Sequence, residues 1–160
     1  GVRPELIRDL LEFRRIFGRE IARLAAARSP KPPTPADGLG KLRELADRAD
    51  RAAGALELFE IDFDFYVAVA QLSGNQVMLL LINTVRDGVR GFMPLLANLA
   101  APGEVVRKHH RELIAALEKG DANGAGRIAD EYLRMGAELA ARVGGKPELQ
   151  PLPMPGLETR

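Results

Sequence analysis

Apolar residues recur every three or four positions along most of this chain, which is the period of helices that bury one face. The most informative stretch covers residues 60–75, EIDFDFYVAVAQLSGN. The core-facing stripe here consists of Leu58, Ile61, Phe65, Val69 and Leu72. Asp62 and Tyr66 lie one turn apart at its edge, so both side chains are expected to lean toward the interior. Because a buried acid needs a partner, the stretch predicts a polar contact inside a helical core. The alternative is an acid that caps the helix or reaches water.

The same pattern predicts an all-α fold, an antiparallel bundle of about six helices. The predicted helices cover residues 4–28, 39–53, a third that follows Gly54 and ends at Ser73, then 76–98, 103–119 and 121–143. A glycine followed by a capping residue separates helices at 74–75 and at 120–121. The fourth helix is the most apolar, so it is expected to be central, with a kink or an end at Pro94. We expect one domain over residues 1–145 and an irregular Pro-rich tail over 146–160.

Composition excludes several classes of protein. With 160 residues and 46% hydrophobic positions, the chain is long enough for one sizeable core. Its 23 basic and 22 acidic residues nearly cancel and form no Lys/Arg block, which argues against a nucleic-acid-binding face. There is no cysteine, and no apolar run reaches membrane-spanning length. A cytoplasmic protein is the default expectation, and a start directly before a helix indicates a piece of a longer chain.

Three polar side chains on other helices are candidates for a shared site. His110 and Tyr132 share helix faces with apolar residues and are expected to point inward, as is Arg14 between two apolar positions; His109 is expected to point toward the helix surface. If these helices face one core, the side chains converge on a polar cavity, where bundles place their ligand sites. The alternative is separate roles: a hydrogen-bonded core histidine and tyrosine, and an arginine that reaches water.

The order and spacing of several motifs resemble the FCD effector-binding domain of the GntR-family bacterial transcription regulators, over residues 10–139. The motif residues are Glu12, Arg14 and Leu24-Ala25-Ala26 in the first helix, then Asp62, Phe65 and Tyr66, Ser73-Gly74-Asn75, and His110 with Asp121 eleven residues later. The resemblance implies a small-molecule-sensing, dimerising domain without catalysis. It also implies that DNA is bound through an N-terminal winged helix-turn-helix domain that is missing from this chain.

One departure from the family concerns its metal. The resemblance implies that the metal-binding members hold a divalent ion with one Asp and three His, which fall here on Asp62, Tyr66, His110 and Tyr132. A neutral phenol is a poor ligand for zinc, nickel or manganese at neutral pH. We therefore expect no metal cofactor, only a degenerate site at Asp62 and His110, and expect Asp62→Asn to leave the fold intact. Weak zinc or nickel binding is the alternative. Gly18 also stands where many members have glutamate.

The resemblance also bears on the effector. The acyl-CoA-responsive regulators of the family share the Ser-Gly-Asn corner and an asparagine eight residues later, here Asn83. The candidate ligand-binding residues are Arg14, Asp62, Tyr66, Asn83, His110 and Tyr132. An acyl or aromatic ligand is favoured by the apolar fourth helix, whereas a small carboxylate would make Arg14 the natural contact. Three alternatives to this sensor stay open: a metal-dependent carboxylate sensor, a helical-bundle enzyme that uses the Asp-His pair, and a purely structural dimerisation module.

Overall fold

The computed structural model describes residues 3–28 and 37–144, and over these residues the predicted all-α fold is confirmed, without a strand. The helices are α1 (Pro4–Arg28), α2 (Asp37–Arg51), α3 (Ala55–Leu72), α4 (Gln76–Val89), α5 (Met93–Asn98), α6 (Gly103–Glu118) and α7 (Ala122–Gly144), with a 3₁₀ turn at Arg90–Phe92. No helix in these two ranges is both long and apolar enough to span a membrane. The predicted tail, 146–160, lies outside the described residues.

The predicted stop-and-cap devices are present at both places. Gly74 and Gly120 have φ of 67° and 66°, a left-handed conformation that glycine adopts without strain. The Asn75 side chain then accepts hydrogen bonds from two backbone N–H groups at the start of α4, each at 3.1 Å. The Asp121 carboxylate accepts from the backbone N–H of Gly124 at 2.9 Å at the start of α7. These local signals therefore determine where α3 and α6 end and the next helices begin.

The predicted 76–98 helix has the expected interruption near Pro94, but its expected central position was wrong. The stretch is divided, because α4 ends at Val89 and α5 begins at Met93. Pro94 explains the break, since proline is tolerated in the first turn of a helix but not in the interior of a continuing one. The central helix is α3, which buries ten residues, whereas α4 buries only Ile82.

The packing around α3 positions the site. α3 contacts α1, α2, α4, α5 and α6, while α1 packs along α7. Arg15 of α1 bonds Asp130 of α7 at 2.9 Å, which holds these two helices side by side. Gly18 allows a close approach, since a Cβ atom there would overlap Leu133 and lie 3.1 Å from the Tyr66 ring. The space of a family glutamate at this position is therefore occupied by neighbouring side chains.

Candidate functional site

Asp62 is the centre of a buried polar cluster that joins four helices. Its Oδ1 atom lies 2.7 Å from His110 Nε2 of α6, and its Oδ2 atom accepts from Arg14 Nη2 of α1 at 2.8 Å and from the Tyr132 hydroxyl of α7 at 2.9 Å. The Asp62 side chain is only 2% exposed. The ring of Tyr66 lies beside Arg14, so the structure brings together five of the six predicted ligand-binding residues.

Arg14 is held in the cluster by aromatic rings as well as by Asp62. Its guanidinium carbon lies 5.4 Å from the ring centre of Phe59, 5.7 Å from that of Phe63 and 5.9 Å from that of Tyr66. Cations at such distances are attracted to aromatic faces. The alternative of an arginine that simply reaches water does not hold, since the Arg14 side chain is 18% exposed and paired.

The prediction that His109 points toward the surface was wrong. Its side chain is 3% exposed, its Nε2 atom lies 2.8 Å from the Tyr66 hydroxyl, and its ring stacks on Tyr132 at 3.9 Å between ring centres. His109 therefore links the two tyrosines and extends the cluster. No signal in the sequence indicated this, because the enclosure of His109 depends on the packing of α3 and α7 against α6.

His110 combines one strong contact with one open nitrogen. Its ring stacks on Phe65 at 4.1 Å, and its Nε2 atom faces the Asp62 carboxylate. Because an ionised carboxylate only accepts, Nε2 carries the proton in this contact. The other ring nitrogen, Nδ1, is buried and has no hydrogen-bond partner among the described residues.

The surroundings set the protonation of the cluster. Burial works to raise the pKa of Asp62, but the hydrogen bond from His110 and the charge of Arg14 outweigh it and hold that pKa well below its usual range. Burial, together with the charge of Asp62, raises the pKa of both Tyr66 and Tyr132 well above the usual value. The cluster at neutral pH therefore contains one carboxylate, one guanidinium and two neutral phenols.

Two small cavities border Arg14. The first has a volume of about 30 Å³ and is lined by Arg14, Asp62 and Tyr132 together with apolar side chains from α1, α3, α5 and α7. The second has about 20 Å³ and lies between α1, α3 and α4, with Arg14 and Tyr66 in its wall. Cavities of this size hold a water molecule or two, whereas sites for organic ligands measure roughly 300–1,000 Å³. An organic effector therefore needs side chains to move apart.

Asn83 is the predicted site residue that the structure does not bring to the cluster. Its amide donates to the backbone carbonyl of Leu79 in its own helix at 2.9 Å. It also does not line either of the two cavities described above. The position of Asn83 therefore does not support its family-based placement at the ligand, because its side-chain amide bonds the backbone of α4.

The donor set does not fit a divalent transition metal. Both Asp62 oxygens already accept hydrogen bonds, and Tyr66 and Tyr132 are neutral phenols where a metal site would need imidazoles. Within residues 3–28 and 37–144, no group of three or more His, Cys, Asp or Glu side chains is arranged to hold a metal ion.

The fold and the cluster define a class: an all-helical domain with a charged, hydrogen-bonded centre beside apolar cavities. Comparison with protein families assigns the chain more specifically. Residues 9–135 match the FCD domain, and the chain belongs to this family of ligand-sensing regulatory domains. A search of curated proteins finds no match.

Proposed function

We propose that this chain is the small-molecule-sensing, dimerising effector domain of a cytoplasmic GntR-family transcription regulator. The observation that carries the proposal is the buried cluster of Arg14, Asp62 and Tyr132 in the wall of an apolar cavity within an FCD domain. Operator DNA is bound by a winged helix-turn-helix domain ahead of residue 1. Effector binding shifts the populations of domain arrangements and so changes operator affinity.

The lining of the first cavity favours an effector with an apolar body and one polar group. Leucine, phenylalanine and alanine side chains form most of the wall, and Arg14 is the one cation in it among the described residues. An acyl chain or aromatic ring fits the apolar part, and a carboxylate or another acceptor fits Arg14 and the Tyr132 hydroxyl. We expect α5 to move aside for the effector, because it is only six residues long and the preceding 3₁₀ turn separates it from α4.

A leucine at Gly136 tests the position of the effector. Gly136 lines the first cavity, and nothing lies within 4 Å of a Cβ atom built there, so we expect the leucine of Gly136→Leu to take up part of the cavity. We expect this variant to lose the ligand that native mass spectrometry detects on protein purified from its own host. We also expect it to bind palmitate and benzoate at least about tenfold more weakly, equivalent to about 1.4 kcal/mol.

The matched control is Gly40→Leu in α2, which also has open space at its Cβ position but does not line the cavity. It should bind like the unmodified protein. Equal binding by both variants would place the effector elsewhere, and turnover of a bound ligand in a product assay would favour an enzyme over a sensor.

The exposed face of α4 is the surface that we propose for the twofold homodimer. Val77, Leu80 and Leu81 are 64%, 65% and 44% exposed, and no charged residue occurs between Asn75 and Val85. An apolar stripe of this kind on a surface helix marks an interaction site, and a self-complementary face suits a twofold axis. The remaining exposed large apolar residues are scattered over α1, α3 and α7.

A charge on this face should separate the protomers. Leu80→Glu places a carboxylate beside its own copy across the axis, so we expect a monomer in sedimentation at ~50 μM, a concentration that fills standard homodimer interfaces. Leu6→Glu on α1, where Leu6 is 53% exposed, is the control and should remain dimeric. A monomeric unmodified protein, or a Leu80→Glu dimer, would contradict the proposed interface.

A further inference from the structure

We propose that the Arg14 guanidinium, and not a divalent metal ion, supplies the positive charge beside Asp62 in this site. The site is then independent of metal, and its charge balance is built into the chain. This inference concerns the same cluster as the proposed function, but it rests on the contacts of Asp62 and not on the identity of an effector.

Donors within the protein already take three of the about four acceptor positions of the Asp62 carboxylate. Oδ1 takes the Nε2–H of His110 at 2.7 Å, and Oδ2 takes two donors, Arg14 at 2.8 Å and the Tyr132 hydroxyl at 2.9 Å. A metal ion held by Oδ2 would have to displace one of these donors from a carboxylate that is 2% exposed. While His110 donates through Nε2, that nitrogen also has no lone pair to offer a metal.

Arg14 is fixed in the cluster by Asp62 and by three aromatic rings. Its guanidinium stays charged at any physiological pH, and it lies within 6 Å of the ring centres of Phe59, Phe63 and Tyr66, at 5.4, 5.7 and 5.9 Å. The ion pair with Asp62 neutralises the cluster, so a divalent ion would add two positive charges among neutral ligands. Buried uncompensated charge is strongly unfavourable.

Both tyrosines of the cluster already have hydrogen-bond partners within the protein. Tyr132 donates its hydroxyl proton to Asp62, and the Tyr66 hydroxyl lies 2.8 Å from His109 Nε2. Each phenol therefore has a partner inside the protein that uses it as a neutral hydroxyl group. Among the described residues, the buried side-chain atom of this cluster that lacks a hydrogen-bond partner is His110 Nδ1.

The test measures zinc directly, apart from any effector. We expect the unmodified protein, purified without chelator, to contain well under one metal ion per chain by elemental analysis and to show no saturable heat when titrated with zinc chloride. Tyr66→His together with Tyr132→His supplies the family's Asp-plus-three-His set, and this double variant should bind zinc and gain thermal stability from it.

The role of Arg14 is tested in that double-histidine background. Adding Arg14→Met removes the positive charge that opposes a second cation beside Asp62, and we expect zinc affinity to rise by about tenfold or more. Arg15→Met is the matched control: Arg15 pairs with Asp130, outside the cluster, and should leave zinc affinity unchanged. Circular dichroism checks that each variant is folded.

Three outcomes would overturn the inference. One is a stoichiometric metal ion in the unmodified protein, a measurement that needs no variant to fold. Another is a double variant that folds but binds no zinc, since the four positions then do not converge as the structure has them. The last is equal zinc affinity with Arg14 and with methionine at that position. Each of these leaves the effector experiments on Gly136 unaffected.

Discussion

Asp62→Asn should lower the free energy of unfolding by about 3–5 kcal/mol, the usual cost of removing one partner from a buried ion pair. A neutral amide at this position cannot neutralise Arg14, whose guanidinium then stays buried among aromatic rings without a counter-charge. This replaces the expectation from sequence that the substitution leaves the fold intact, because the sequence does not show that Asp62 pairs with Arg14. Urea unfolding at pH 7, followed by circular dichroism, measures the loss.

Asp64→Asn provides a control two residues away on the same helix. Asp64 pairs with Arg86 at 3.1 Å, but its side chain is 42% exposed, and exposed ion pairs contribute only about 0–1 kcal/mol. If the two asparagine variants lose equal stability, Asp62 is not the centre of the cluster. Tyr132→Phe removes a single donor from Asp62 and should fall between them, at about 1–2 kcal/mol.

The sequence was sufficient to predict the features that depend on neighbouring residues. The bounds of α1, Pro4–Arg28, agree with the apolar period and with a proline in the first turn. The corners at Gly74 and Gly120 follow from glycine and capping chemistry. The inward direction of Asp62, Tyr66, His110 and Tyr132 follows from their helix faces, since one face of each helix must be buried.

Features that depend on how helices pack could not be predicted in the same way. A helical period gives the direction of His109 on α6, but whether that direction meets solvent or α3 and α7 is decided by packing. The apolar character of α4 indicated a central helix, yet Leu80 and Leu81 are 65% and 44% exposed, because α4 packs at the surface of the bundle. The pairing of Asp62 with Arg14 joins residues 48 positions apart, beyond any local pattern.

The family resemblance predicted more of the candidate site than the helical pattern alone, but one of its residues lies elsewhere. It placed Asp62, His110 and the two tyrosines in one cluster, as the structure has them. It also placed Asn83 at the ligand, and there the structure shows only a bond to Leu79 of the same helix. A family motif therefore predicts a site residue only where the side chain also lies on the helix face that meets the cluster, as Asp62 does and Asn83 does not.

The domain should also lose stability in mild acid, and most of the early loss should come from His109. Burial lowers the pKa of His109 to about 3, whereas an unfolded chain has a histidine pKa of about 6.5. Between these two values the unfolded state binds the extra proton, so the free energy of unfolding decreases as the pH falls. The decrease is about 1.4 kcal/mol per pH unit, which gives about 2 kcal/mol between pH 6.5 and pH 5.

His109→Gln separates this loss of stability from the loss that Asp62 causes at lower pH. Glutamine can still accept from the Tyr66 hydroxyl but does not titrate, so stability should change little between pH 7 and pH 5 in the variant. Asp62 acts at lower pH: its pKa is held below the usual value, so its contribution is complete above about pH 4 and is lost as the pH falls further. Urea unfolding at half-unit pH steps gives both curves. Equal slopes for the variant and the unmodified protein above pH 5 would show that His109 takes up its proton in the folded state, which a histidine enclosed between Tyr66 and Tyr132 should not do.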